Sequence, residues 1–294
     1  MGNRLFFGMQ KLPKSLFLHS IDKQCMGNKL NILLTNDDGI DSLFLHALAE
    51  ALCPIGHLTI VAPAGEQSWI GKGISRYRKL NLHPVESPDW KPFREDGHQV
   101  FSLDGTPADC VNVGLAHCCV KAPDLVISGI NIGFNAGLPF ILSSGTVAGA
   151  LEGALHHLPA IAFSMALPPE QFTLLKQSPP QWSEETLRHL RAGAARAPDF
   201  VPEVLRYHKG ETLVHNINFP YPVHAETSVR RTVPARLKLG GLFQPDPTGG
   251  FGFQFPDLPK MDHHQDTDSG ALQSGLISYS VLNFNLLVPG LGER

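Results

Sequence analysis

The sequence lacks a dominant charge. Its 294 residues carry 24 Lys+Arg and 27 Asp+Glu, a formal net charge of −3. That balance gives no bulk attraction to DNA, RNA or anionic lipid, so local groups must hold any phosphate it binds. A long apolar run is also missing: no stretch approaches the roughly 18 residues of a membrane span. Neither a nucleic-acid polymer nor a membrane is therefore expected as a partner. Cysteines are few and poorly spaced for pairing. Cys25, Cys53, Cys110, Cys118 and Cys119 are odd in number, include one adjacent pair and form no C-x-x-C. This argues against a disulfide framework and structural zinc, and predicts a reducing, cytoplasmic location. Charged residues reach only 17%, but 43% hydrophobic residues suffice for a sizeable core, which excludes extensive disorder.

Several catalytic signatures are absent as well. The chain has no G-x-S-x-G elbow, no Walker motif and no H-E-x-x-H. Glycines 129, 133 and 137 do not make the G-x-G-x-x-G fingerprint, which disfavours a dinucleotide-dependent oxidoreductase. The first acidic pair, Asp37-Asp38, is adjacent, unlike the D-x-D of phosphatases that form an aspartyl phosphate. Most of the 14 histidines read as ordinary surface or core residues.

What is present begins after a lead segment. Residues 1–28 read as an N-terminal extension, with Met26 as an alternative start. Gln10, Lys11, Pro13 and Lys14 break its apolar pieces, which makes a poor secretory signal. Leu30–Thr35 is a short apolar run suited to a buried parallel strand. Leu43 to Leu52 has helical spacing, and a second strand follows at Leu58–Ala62. Residues 71–84 are polar and extended. Val100–Leu103 reads as a strand and Thr106–Val120 as a helix, with Thr106 as N-cap, Pro107 at its first position and Cys110 buried as a small hydrophobe. Asp124–Ser128 is another buried strand, followed by a glycine-rich loop over 129–137. Gly145–His157 is a helix of small residues and Ala160–Ser164 a strand. Beyond 165 the pattern weakens: a helix at Glu184–Ala197, strands at Thr212–Phe219 and Leu276–Leu287, and a Pro/Gly-rich loop over 245–259. Strands alternating with helices predict a three-layer α/β fold with a mostly parallel sheet.

Four loops gather chemistry, most of them at C-terminal ends of predicted strands, the edge where open α/β sheets bind ligands. Asn36-Asp37-Asp38-Gly39 follows the first strand. Its two carboxylates repel unless a positive group lies beside them, and a divalent cation supplies one; capping of the next helix is the plain alternative. The loop at residues 62–68 offers Ser68, Gln67 and Glu66. Residues 128–137 carry Asn131 and Asn135. Ser143-Ser144-Gly145-Thr146 opens a helix, where backbone N–H groups and hydroxyls suit an anion, although a hydroxyl there also simply caps the helix. Singly, each loop has an ordinary reading. Together they make an all-oxygen ligand set, which suits Mg²⁺ or Mn²⁺ better than zinc and points to metal-assisted hydrolysis of a phosphate ester.

The segments NILLTNDDGI, VAPAGEQS, SLDGTPADCV, PDLVISGINIGFNAG and SSGTVAGALEGAL resemble the signature segments of the SurE family, in the family's order and across residues 30–165. Weaker matches at Asn216–Pro220, Asp266–Asp268 and Gly275–Ser278 extend towards the C-terminus. The resemblance implies a divalent-metal-dependent 5′/3′-nucleotidase acting on nucleoside monophosphates. It implies metal ligands at Asp37, Asp38, Ser68 and Asn131, catalytic work at Asp37 and Asp38, and phosphate contacts at Asn36, Asn135, Ser144, Gly145 and Thr146. It further implies a Rossmann-like core over about 29–165 and, over about 166–294, a helix and an extended arm that builds homodimers or homotetramers, all one domain from 29 to 294. The sequence departs from the pattern at Trp69, where glycine is usual, at Leu138-Pro139 in place of acidic residues, at Ser143 in place of tyrosine, and over 240–265. These departures keep a rival open: a non-catalytic module that binds a nucleotide or anion on the same fold.

Overall fold

The computed structural model describes residues 29–175, 181–254 and 264–287; the expected N-terminal extension lies outside them. The strands are β1 (Leu30–Thr35), β2 (Gly56–Pro63), β3 (Leu82–Pro84), β4 (Gln99–Leu103), β5 (Leu125–Ile132), β6 (Ala160–Met165), β7 (Leu213–Phe219), β8 (Val229–Thr232), β9 (Phe243–Pro245), β10 (Phe251–Phe253) and β11 (Ile277–Asn283). The helices are α1 (Leu43–Leu52), α2 (Lys91–Glu95), α3 (Pro107–Val113), α4 (Leu138–Ser143), α5 (Gly145–Leu155), α6 (Pro169–Leu175), α7 (Glu184–Arg196), α8 (Val201–Tyr207) and α9 (Asp268–Gln273). Nine strands form one sheet in the order β3-β4-β2-β1-β5-β6-β7-β11-β8. Pairing is parallel from β4 through β7; β3 and β11 run antiparallel to their inner neighbours. The predicted three-layer, mostly parallel α/β architecture is the one observed. Among the described residues no helix is long and apolar enough to cross a membrane.

Chain order sets the site. From β1 the chain moves outward through β2 and β4, then returns to β5 on the other side of β1. The β1/β5 boundary is thus a topological switch point, where loops at the strand ends diverge and leave a crevice. Leu33 and Leu34 of β1 and Val126 and Ile127 of β5 are fully buried, as strands covered on both faces must be. Helix α5 sits tightly on β5 because two of its residues lack side chains. A Cβ at Gly153 would lie 2.5 Å from Val126 Cβ, and one at Gly149 would lie 3.0 Å from Ser128 Oγ.

Four expectations need correction, and one helix is new. The helix predicted to Val120 is α3 followed by a π-helical turn, Gly114–Cys118, and Cys119 is already extended. A Cβ at Gly114 would meet Leu33 at 2.8 Å, so the helix passes β1 at its glycine and widens there. The strand expected to end at Ser128 continues to Ile132 through a register shift between Ser128 and Asn131. Gly129, at φ +130, permits this, since a Cβ there would fall 2.3 Å from Phe163 O. Asn131 therefore stands on a strand and not in a loop. The Pro/Gly-rich stretch is not all loop: β10 lies within it and pairs with β9 as a hairpin turning through Gly249 and Gly250, both at positive φ, while its residues 255–259 lie outside the described residues. The last strand stops at Asn283, and Phe284–Leu287 is a 3-10 turn. Helix α4 was not foreseen; Gly137 at φ +84 and Pro139 in its first turn start it. The residues beyond 165 also supply β7, β11 and β8 to the main sheet.

Candidate active site

Asp37 and Asp38 leave the end of β1. Gly39, at φ +97, turns the chain sharply beneath the next loop: a Cβ there would lie 3.2 Å from Gly65 backbone atoms. Asn36, fully buried, donates Nδ2 to Gly39 O at 2.9 Å and fixes that turn. Its Oδ1 is buried without a partner. An orphaned acceptor beside two carboxylates is costly unless something positive or hydrogen-bearing joins them.

The aspartates are held from two sides. The Thr146 hydroxyl donates to Asp37 Oδ1, and the Thr146 backbone N–H adds a second contact. Gln67 N–H donates to Asp37 O at 2.7 Å. The start of α5 is pressed against Asp37, since a Cβ on Gly145 would lie 2.9 Å from Asp37 Oδ2. On the other side, Ile132 N–H donates to Asp38 Oδ2 at 3.0 Å, tying Asp38 to the end of β5 beside Asn131.

No cation offsets this pair among the described residues. Burial pushes the Asp37 carboxyl from 3.8 up to about 6, with the Thr146 hydrogen bonds pulling it down and the charge of Glu66 adding to the rise. Burial, then the charge of Asp37, drives the Asp38 carboxyl well above the usual range. Two adjacent carboxylates, one buried and one half-buried, that destabilise each other's charge are the arrangement a divalent cation reverses. The available donors are oxygens, which fits Mg²⁺ or Mn²⁺. Among the described residues no cluster of three His, Cys, Asp or Glu provides an alternative centre.

The other predicted residues are placed as follows. Asn131 donates Nδ2 to Gly133 O at 2.7 Å, which leaves its Oδ1 outside that bond. Ser68 is exposed, and its hydroxyl donates to Glu66 Oε1 at 2.7 Å; no hydrogen bond joins it to either aspartate. Ser144 caps α5 by accepting from Val147 N–H at 3.0 Å. Asn135 is buried in an amide cradle: its N–H donates to Asn218 Oδ1 at 2.7 Å, its Nδ2 to Ser164 Oγ at 2.9 Å, and its carbonyl accepts from Asn216 Nδ2 at 2.9 Å. Thus Asp37, Gly145 and Thr146 form one contact group, Asp38 joins the end of β5, and Asn135 is locked from β6 and β7.

The sequence reading missed the cradle. Its signal was the alternation of Asn216 and Asn218 on β7, two amides on one strand face. It also missed the fastening of the Ser68 loop. Gly71 N–H donates to Ser143 O at 2.9 Å, and Lys72 Nζ pairs with buried Glu152 of α5, which also accepts from Asn112 Nδ2 at 2.9 Å.

Comparison with known proteins gives one consistent picture. The family model described as "Survival protein SurE" matches residues 32–238. The 5′-nucleotidase SurE 1 of Thermus thermophilus is 34% identical over 264 residues, covering 90% of this chain and 96% of its own. The 5′-nucleotidase SurE of Archaeoglobus fulgidus is 30% identical over 261 residues, covering 87% and 92%. Among solved structures, the SurE protein from Aquifex aeolicus superposes with a TM-score of 0.64 at 30% identity, covering 86% of this chain and 93% of that one. On the extent of these matches, this chain belongs to the SurE survival-protein family.

Proposed function

We propose that this chain is a divalent-metal-dependent phosphomonoesterase that hydrolyses nucleoside 5′-monophosphates, and 3′-monophosphates, to nucleoside and phosphate. The observation that carries the reading is the Asp37–Asp38 pair at the switch point, with Asp37 buried against the first turn of α5, Asp38 half-buried beside it, and no cationic side chain offsetting them among the described residues. The family membership and the names of the relatives point the same way.

In this reading Asp37, Asp38, Ser68 and Asn131 hold one Mg²⁺ or Mn²⁺. Ser68 reaches it by leaving Glu66, a rotation of one exposed side chain. Bound there, the cation supplies positive charge against the phosphate oxygens and acidifies water. The chain's own residues do the rest. Asn36, Asn135, Ser144, Gly145 and Thr146 receive the phosphate at the start of α5, where the helix dipole favours an anion. The cradle from Ser164, Asn216 and Asn218 keeps Asn135 in one orientation, so little reorganisation accompanies charge development. Water attacks phosphorus, the bond to the nucleoside oxygen breaks, and the proton released from water ends on that oxygen. Asp37 or Asp38 orients that water or accepts its proton. No covalent phosphoenzyme is involved.

The free cysteines, of which Cys110 and Cys118 are buried, agree with a cytoplasmic protein. A homodimer or homotetramer is the assembly that the family resemblance suggests.

Asp37→Asn tests the reading. It keeps size and shape, and should lower metal-dependent phosphate release by about 10³-fold or more with the circular dichroism spectrum unchanged. Full activity with the same metal requirement would refute the assignment. The binding-module alternative expects saturable nucleotide binding without turnover in the wild type.

A further inference from the structure

Trp69 directly follows Ser68 and sits at φ +60, in the left-handed region that side chains other than glycine rarely adopt. A bulky residue kept in that conformation stores strain, and such strain collects at functional sites. The indole is half-buried against Phe140 of α4, ring centres 5.8 Å apart, and against Phe253 of β10 at 5.3 Å. Phe140 in turn meets Phe134 at 5.7 Å. The row joins the site's own loops. Trp69 adjoins Ser68, Phe134 adjoins Asn135, and α4, which carries Phe140, ends at Ser143, next to Ser144. The hydrogen bond from Gly71 N–H to Ser143 O holds the tryptophan loop across the start of α5. An aromatic wall, with Phe253 still 49% exposed, therefore borders the residues assigned to phosphate.

We propose that Trp69 is a specificity-determining residue that holds the leaving group of the substrate, and that the group it selects is flat and aromatic: a nucleobase, recognised by its π-face. The inference rests on the phosphomonoesterase reading. Stacking tolerates any base, because every base has such a face, so the wall favours nucleotides over sugar phosphates without choosing among bases. Its rigid backing by Phe140 lowers the ordering cost of stacking.

The experiment compares kcat/KM for AMP and ribose 5-phosphate with Mn²⁺, in the wild type, Trp69→Gly and Trp69→Phe. The expected result is a fall of roughly tenfold or more in the AMP to ribose 5-phosphate ratio for Trp69→Gly, with most of it restored in Trp69→Phe. An unchanged ratio, including equal losses on both substrates, overturns the proposal, since Trp69 would then only position Ser68. If the wild type releases phosphate from neither compound, the phosphomonoesterase reading fails separately. Calorimetric titration of the same proteins then decides. AMP binding at least about tenfold tighter than ribose 5-phosphate, with the preference lost in Trp69→Gly, supports the proposal; no preference, or no binding of either, overturns it.

Discussion

Thr146 donates its hydroxyl to Asp37 across 109 residues of sequence, joining the first turn of α5 to the end of β1. One side chain thus sets the orientation of a carboxylate and ties α5 to β1 at the switch point. Partners of this kind typically change metal affinity or activity by 10–100-fold. Thr146→Val removes the hydroxyl at nearly constant volume. It should weaken Mn²⁺ affinity, or lower phosphate release at saturating Mn²⁺, by roughly that factor, while Thr146→Ser retains most of both. Equal behaviour of the two variants in a metal titration would contradict this.

Acid should compete with the metal. A carboxyl must lose its proton to ligate a cation. With Asp37 raised to about 6 by burial, a proton competes for it as pH falls through 6, and Asp38, raised by burial and by Asp37, adds to that competition. Below pH 6, apparent Mn²⁺ affinity should fall by at least about tenfold per unit for one displaced proton. Calorimetric titration between pH 5 and 8 reads this, and a flat profile would refute it.

Helix α5 depends on its missing side chains. Gly153→Ala places a methyl where 2.5 Å separates it from Val126 Cβ, so either the helix or the strand must shift. Overpacking of this kind costs about 1–3 kcal/mol, and a urea melt should show it as a lower midpoint. Gly240→Ala, where a Cβ meets nothing within 4 Å, should leave the midpoint within about 0.5 kcal/mol of wild type.

His215 gives the fold a second acid dependence. It is buried on β7 with Nδ1 2.7 Å from the Tyr279 hydroxyl. Burial first, then the charge of Arg231, lowers it from 6.5 to about 4. Between those values the unfolded chain binds the proton that the folded chain refuses. Stability from this group is therefore full above 6.5 and is lost as pH falls towards 4. From pH 7.5 to 5 the loss should be about 2 kcal/mol. Denaturant melts of His215→Gln should lack that increment, and an identical pH profile in both proteins would contradict it.

The sequence made the first half of the molecule legible because β1, β2, β5 and β6 are continuous apolar runs bounded by turn residues, and because a hydroxyl, a proline and an acidic residue announce α3 at Thr106, Pro107 and Asp109. The aspartate pair was legible as an unbalanced charge. Less legible was anything set by tertiary contact. β5 runs past its expected end because Gly129 carries no side chain where Phe163 leaves no room for one. Helix α4 is six residues long and carries no strong period. The partners of Asn135 come from β6 and β7, far along the chain. Ser68 illustrates the remaining gap: its position in the loop was foreseen, but its hydrogen bond to Glu66 was not.

If Asp37 and Asp38 hold the cation that makes this chain a phosphomonoesterase, phosphate release from AMP must follow the metal. The measurement uses the full chain in Mn²⁺ or Mg²⁺, then in EDTA, then with metal restored. Turnover with metal, its loss on chelation and its return are expected. Turnover indifferent to EDTA, or AMP binding with no phosphate released under any metal, would contradict that role.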